Sequence, residues 1–170
     1  DLPADKHHIF DAIAADQQGV RLPFSLLLNS PEMAGRMSPL RKYLFYENSL
    51  PPLVKNMAIL MAARESDSRF VWSNAAVWCR ESGAREEVID VVGNRLALDL
   101  LTEEEALIVR FGREMLCDHR VSDATYDAAR ARFGDHLLTD LTVTFGFYTM
   151  IGHLMNTWDI DPRPDRPMLP

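Results

Sequence analysis

Apolar side chains recur at helical spacing along nearly the whole chain, and no segment alternates apolar and polar residues as a strand does. Ser30, Pro31 and Glu32 follow the order that is typical of a helix start, and they predict a helix to about Tyr46. The Pro51-Pro52 pair ends one element and opens the next, which is predicted to cover about residues 52–65.

Turn and cap residues divide the rest of the chain into further helices. Asp67 or Ser68 is predicted to cap a helix that Gly83 ends. Thr102 and Glu105 form a capping-box pattern, which predicts a helix to about residue 118. Further helices are predicted from Ser122 to Gly134 and from about 136 to 158. The chain is therefore predicted to be a single all-α domain of about eight helices over residues 1–170, with a Pro-rich C-terminal arm over 159–170.

Composition narrows the possible partners. The chain has 170 residues, of which 47% are hydrophobic and 25% charged, as in ordinary globular proteins. Its net charge of −7 argues against a nucleic-acid partner or an anionic membrane surface, both of which require clustered Lys and Arg. No signal peptide is visible, and no apolar run is long enough to suggest a membrane span.

The two cysteines, Cys79 and Cys117, have neither a redox spacing nor a metal-ligand spacing, since 117 − 79 = 38 residues separate them. They are predicted to be reduced thiols, which indicates a cytoplasmic protein. No group of His, Asp or Glu residues has metal-ligand spacing either, and the sequence predicts no metal site.

Residues 49–83 read SLPPLVKNMAILMAARESDSRFVWSNAAVWCRESG. Together with residues 121–126 and 146–156, this segment resembles the carboxymuconolactone decarboxylase and alkylhydroperoxidase-D-like (AhpD-like) family. The resemblance implies an AhpD-like helical bundle that assembles as a homo-oligomer. In the redox members of that family, the second helix of this hairpin carries Cys-x-x-Cys followed by a His, and a Glu lies in the preceding helix.

Counting back from Gly83 places the two cysteine positions of that motif on Ser68 and Val71. The His position falls on Ala75 and the Glu position on Asn56. Because none of these side chains can form a disulfide or transfer a proton as the family's relay does, we predict that the chain is not a thiol peroxidase.

The decarboxylase members imply different chemistry, which uses no thiol, metal or organic cofactor. Such a reaction needs a donor or cation at the developing oxyanion and an acid that protonates carbon. His153 is the candidate acid or base, since Gly152 permits close approach of a ligand or of another backbone. Asn74 could donate a hydrogen bond, and Arg64 could hold a carboxylate. The alternatives are a core or interface position for His153, and an ion pair of Arg64 with Asp67 or Glu47.

Trp72, Trp78 and Tyr148 could line an apolar pocket for a flat ligand, although such aromatic residues most often form the core. Two functions remain open at this point. One is a cofactor-free lyase or isomerase that acts on a small cyclic or unsaturated carboxylic acid. The other is a non-catalytic member of the same family, either an oligomeric scaffold or a protein that binds a small molecule.

Overall fold

The computed structural model describes residues 3–170, and within them it contains α-helices and no strand. The helices are α1 His7–Gln17, α2 Leu22–Leu27, α3 Pro31–Lys42, α4 Pro52–Glu65, α5 Arg69–Glu81, α6 Glu86–Gly93, α7 Glu103–Leu116 and α8 Asp123–Thr157. Short 3₁₀ turns lie at Ala4–Lys6 and Leu98–Leu100, and a π turn follows α3 at Tyr43–Glu47. The predicted all-α class and the number of helices are confirmed.

The chain divides into two compact units, which meet in sequence between Asn48 and Ser49. In the first unit, α1 and α2 pack against α3 around a small apolar core that includes Ile13 and Phe24. The second unit, Ser49–Pro170, is built around α4, which packs against α5, α6, α7 and α8. The single-domain organisation stays a prediction.

Helix α4 is central because it is apolar on every side. All residues from 57 to 63 are fully buried, so that no face of this part of the helix is left for water. The helix begins and ends where the sequence predicts, with Pro51 as its N-cap residue and Glu65 as its last residue. Because Glu65 ends the helix that touches every other helix of the second unit, groups near it come from several parts of the chain.

The predicted caps are only partly confirmed. Thr102 and Glu105 form the capping box at the start of α7, and the Ser122 hydroxyl accepts a hydrogen bond from the Thr125 amide. Ser30 and Ser68 occupy the N-cap positions of α3 and α5, but neither side chain bonds the first turn. The predicted starts of these two helices are therefore confirmed, whereas capping by the serine side chains is not observed.

Two glycines shape α8. Gly134 has φ 71°, outside the helical region, and it divides the helix into the two segments that the sequence predicts. Gly152 lies against the turn between α4 and α5, where a Cβ atom would be 2.2 Å from Ser66 Oγ. Asn156 Nδ2 donates to the Ser66 carbonyl over 2.7 Å and fixes the same contact. The close approach predicted at Gly152 is therefore made by the chain itself.

The Pro-rich C-terminal arm folds back onto the second unit. Asp159 and Asp161 form ion pairs with Arg69, at 2.7 and 2.8 Å. The Pro170 ring lies beside Gly93, where it would be 2.8 Å from an added Cβ atom, next to the Trp72 ring. The end of the arm and the ring of Trp72, one of the side chains predicted to line a pocket, thus both approach Gly93. Among the described residues, none of the helices combines the length and the hydrophobicity that crossing a membrane requires.

Candidate functional site

The positions of the family's thiol and proton relay lie buried inside the hairpin of α4 and α5. Asn56, at the position of the relay Glu, donates its Nδ2 to the Trp78 carbonyl over 3.0 Å and to Ser82 Oγ over 3.2 Å. Val71 and Ala75 pack in the core, and the Ser68 hydroxyl is buried without a hydrogen-bond partner. The amide of Asn56 therefore joins two helices, and these positions carry no group that transfers protons or electrons.

The polar side chains predicted to hold a substrate near α5 are engaged within the protein. Asn74 Nδ2 donates to the Phe70 carbonyl of its own helix over 2.9 Å. Arg64 Nη1 bonds Asp67 Oδ1 over 2.6 Å, which is the ion pair that was the alternative reading of this residue. One donor of each group is therefore bonded within the chain, and their predicted roles in binding a substrate stay predictions.

The three aromatic side chains predicted to line a pocket are mostly covered. Trp72 is only 2% exposed and Tyr148 only 5%, while Trp78 is half-buried. The Trp72 ring packs against Gly93 of α6, as described above. These rings contribute to the core of the second unit, and their role as the wall of a ligand pocket stays a prediction.

His153 lies on the outside of α8, in an exposed position. Its neighbours Gly152 and Asn156 face the α4–α5 turn, so that the helix presents these two residues to the protein and His153 to solvent. The imidazole therefore lies neither in a dry core nor in a closed pocket of the second unit. Its predicted role as an acid or base stays a prediction.

A different set of reactive side chains shares one cavity. It has a volume of about 310 Å³ and lies where the last residues of α4, the turn after α6 and the end of α7 converge. We call it the Glu65 cleft; its lining residues are Glu65, Arg95, Arg113, Cys117 and Asp118.

The carboxylate of Glu65 is the buried centre of the cleft. Its side chain is only 8% exposed, and its Oε2 accepts hydrogen bonds from Arg95 Nε at 3.2 Å and Nη2 at 3.1 Å. A carboxylate at the last residue of a helix opposes the helix dipole, so it needs a cation nearby. Arg95 supplies that cation and also bonds the Arg64 carbonyl at the end of α4.

Arg95 reaches Glu65 because the chain turns sharply after α6. Arg95 has φ 52°, in the left-handed region in which helices often end. The Leu96 amide donates back to the Val91 carbonyl over 3.0 Å. Glycine is usual at such a position, and another residue costs about 1 kcal/mol there. Arg95 adopts this conformation in spite of that cost, and its side chain lines the cleft.

Arg113 holds the same turn from α7 while keeping part of its guanidinium free. Its Nη2 donates to the Val91 carbonyl at 3.2 Å and to the Leu96 carbonyl at 2.8 Å. Among the described residues, its Nε and Nη1 have no hydrogen-bond or ion-pair partner. A guanidinium edge with two N–H donors is the group that binds a carboxylate in bidentate fashion.

Cys117 carries a thiol that stays protonated at neutral pH. Although Cys117 is an exposed residue, desolvation of its thiol and the neighbouring Glu65 carboxylate raise the pKa of that thiol to about 11. Burial raises the pKa of the other thiol, Cys79, to about 12. Because the thiolate is the nucleophile of thiol peroxidases, the raised pKa of both cysteines disfavours that reaction.

The Glu65 cleft therefore offers a cationic hydrogen-bond donor and a weak acid on the same cavity. The carboxylate of Asp118, at its rim, forms no ion pair with the described residues. Within residues 3–170, no group of three or more His, Cys, Asp or Glu side chains could hold a metal ion.

Sequence reasoning missed this cleft because its residues come from three separate segments and match no motif. Two signals were nevertheless present. Glu65 is an acid at a predicted helix C-terminus, which indicates that a cation covers it. Cys117 and Asp118 lie at the end of the helix predicted to start at Thr102, next to a connecting segment, where functional residues are often found.

The fold is that of a protein of known structure. The chain superposes on an uncharacterised peroxidase-related protein from Silicibacter sp. TM1040, solved at 1.70 Å, with a TM-score of 0.74 and 14% sequence identity. The match covers 96% of this chain and 87% of the other. The helical bundle predicted from the AhpD-like resemblance is confirmed. A comparison with models of known families gives no match, and one with curated protein sequences gives none either. At this identity the likeness shows the fold, and family membership stays a prediction.

Proposed function

We propose that this AhpD-like helical protein is a lyase or isomerase that acts on a small cyclic or unsaturated carboxylic acid without a cofactor. We place the reaction in the Glu65 cleft. The observation that carries the proposal is the presence of the free Arg113 guanidinium edge and the protonated Cys117 thiol on one cavity. These are the two groups that a cofactor-free decarboxylation or double-bond shift requires.

In the proposed decarboxylation, the bond between the carboxyl carbon and the substrate skeleton breaks and CO₂ leaves. The electron pair moves into a conjugated enolate, whose oxygen is stabilised by Arg113 Nε–H and Nη1–H. The Cys117 thiol gives its proton to the carbon, and water then restores the thiol. An isomerisation uses the same groups, because it also passes through an enolate, with proton loss from carbon to water preceding the proton return.

Glu65 has a positioning role in this proposal. Its carboxylate raises the pKa of the neighbouring Cys117 thiol and so keeps the proton on sulfur, and it holds Arg95 against the end of α4. Without Glu65 the thiol has a lower pKa and a less fixed direction. The cleft then retains Arg113 but loses an oriented proton donor.

A panel of carboxylated lactones and unsaturated acids, with product detection by mass, tests the proposal. We expect turnover by the wild type and a loss of about 100-fold or more in kcat for Cys117→Ala. Arg113→Lys keeps the charge but loses the planar edge, and we expect it to raise KM and lower kcat. Arg110→Gln is the matched control, since it removes an exposed Arg from the same helix; we expect it to have wild-type activity.

The stability of each variant must be measured beside its activity, because Arg113 also bonds the turn after α6. A thermal transition within a few degrees of the wild type shows that lost activity does not reflect unfolding. Full activity in Cys117→Ala and Arg113→Lys contradicts the proposal.

The second candidate is a protein that binds a small acid without transforming it. One observation favours it: Glu65, the buried carboxylate of the cleft, is already paired with Arg95, so it is not a free base. Binding that depends on Arg113, with no product from any acid of the panel, would support this candidate. In either case we propose a cytoplasmic homo-oligomer, since the chemistry needs a free thiol and the family resemblance implies assembly.

A further inference from the structure

The charged side chains that line the Glu65 cleft differ in whether another side chain of the protein neutralises them. Arg95 is neutralised by the buried Glu65 carboxylate, at 3.1 Å. Arg113 has no carboxylate partner among the described residues, so one cation remains to bind a ligand. Asp118 also lines the cavity, and its exposed carboxylate is likewise not neutralised. After internal pairing, the cleft therefore has one positive and one negative formal charge.

The backbone adds negative potential. Helix α4 ends at Glu65, α6 ends two residues before Arg95, and α7 ends immediately before Cys117. Helix C-termini carry partial negative charge, equivalent to about half an elementary charge each. Three such ends around one cavity stabilise the two arginines and disfavour an anion at any place in the cavity that is not beside a free cation. A ligand anion thus has one favourable place, beside Arg113.

We propose that the Glu65 cleft selects ligands that carry a single carboxylate, and that Asp118 excludes dicarboxylates. This inference rests on the proposed function and names its substrate class. One carboxylate binds at the Nε and Nη1 edge of Arg113 and shares these two donors with the oxygen that becomes the enolate oxygen. A second carboxylate on the same small skeleton has to lie near Asp118 and the three helix ends, where it meets like charge.

The size of the cavity makes that repulsion unavoidable for small acids. A volume of about 310 Å³ is at the lower end of the range for ligand pockets and suits a skeleton of roughly six to ten heavy atoms. The far end of a ligand of that length remains within the same cavity and within about 10 Å of Asp118. Over that distance, salt does not screen charges completely.

Sorbate and trans,trans-muconate form a matched pair of probes, because they share a six-carbon diene and differ by one carboxylate. Their dissociation constants can be measured by NMR titration of the wild type at fixed ionic strength. We expect sorbate to bind at least about tenfold more tightly than muconate. Asp118→Asn should narrow that ratio by several fold, and Asp118→Arg should reverse it.

Asp99→Asn is the control, since it removes an exposed negative charge from the short 3₁₀ turn before α7. It changes the net charge as Asp118→Asn does, and we expect it to leave the ratio of the two dissociation constants unchanged. Asp118 is exposed and unpaired, so its substitution is not expected to affect folding.

The outcomes separate this inference from the proposed function. In two outcomes binding still depends on Arg113: muconate binds as tightly as sorbate, or Asp118→Asn leaves the ratio of the two dissociation constants unchanged. Either result refutes the proposed selectivity but not the proposed site. If neither acid binds and Arg113→Lys has no effect on any acid of the panel, the proposed site is overturned and the selectivity falls with it.

Discussion

The Cys117 thiol gives a prediction that can be worked through in numbers. Its pKa is raised to about 11, first by desolvation and then by the Glu65 carboxylate. An unperturbed cysteine has a pKa of about 8.5, so at pH 7.5 about a tenth of such thiols are ionised. With a pKa of about 11, the thiolate fraction at the same pH falls to roughly one in 3,000.

The loss of thiolate is partly offset by its greater basicity. The logarithm of the rate constant of a thiolate rises with the pKa of its thiol with a slope of about 0.4–0.5. A pKa that is higher by about 2.5 therefore makes each thiolate roughly tenfold to twentyfold more reactive. The net expectation is that Cys117 reacts with an aromatic disulfide roughly 15- to 30-fold more slowly than a model thiol at pH 7.5. Its rate should continue to rise with pH up to about pH 11.

Glu65→Gln is the perturbation that tests the cause. The amide keeps the size of the side chain but removes the charge, so the pKa of Cys117 should fall while desolvation keeps it above its ordinary value. We expect the midpoint of the pH–rate profile to shift to lower pH but to stay above about 8.5. The assay is release of the aromatic thiol, followed together with circular dichroism at every pH to confirm that the protein stays folded.

Cys117→Ser should abolish the signal, because the remaining cysteine, Cys79, is fully buried with a pKa near 12. A wild-type midpoint at or below 8.5 would refute the reasoning, as would an unchanged midpoint in Glu65→Gln. Either result means that Glu65 does not hold the thiol in its protonated form.

Three further predictions concern stability and assembly. Gly152→Ala places a methyl group 2.2 Å from Ser66 Oγ, and it should lower the free energy of unfolding, measured by chemical denaturation, by about 1–3 kcal/mol. Gly146→Ala is the control, because there is open space around Gly146, and it should leave the stability unchanged or raise it. Equal effects of the two substitutions would contradict the packing described for Gly152. The hydrogen bond from Arg85 lowers the pKa of Glu105, so this ion pair stabilises the folded protein above pH about 4.5 and ceases to do so as the pH falls below that value. The decrease in thermal stability between neutral and acidic pH should therefore be smaller in Glu105→Gln than in the wild type. We expect a homo-oligomer in size-exclusion chromatography with light scattering, and a strict monomer at all concentrations would contradict that expectation.

Local sequence signals predicted much of the fold because they act over a few residues. Pro51-Pro52 sets the start of α4, and the Thr102 capping box sets the start of α7. Gly134 divides the last helical region because it adopts a positive φ. The sequence did not locate α6, which is only eight residues long and whose start at Arg85 lacks a side-chain cap.

The candidate site was harder to predict because tertiary contacts decide it. Nothing near Arg95 in sequence indicates that it pairs with Glu65, thirty residues earlier. The resemblance drew attention to the hairpin instead, where Asn74 and Arg64 prove to be bonded within the chain. His153 matched a chemical requirement, but helical spacing alone did not show that it faces outward.

The most direct test of the account compares turnover in Cys117→Ala and His153→Ala, on whichever acid of the panel the wild type converts. Both residues are exposed, so that both variants should fold, and each removes the proposed acid of one site. The account predicts that Cys117→Ala loses about 100-fold or more in kcat while His153→Ala keeps wild-type activity. The opposite result, loss with His153→Ala and full activity with Cys117→Ala, would move the reaction out of the Glu65 cleft and contradict the account.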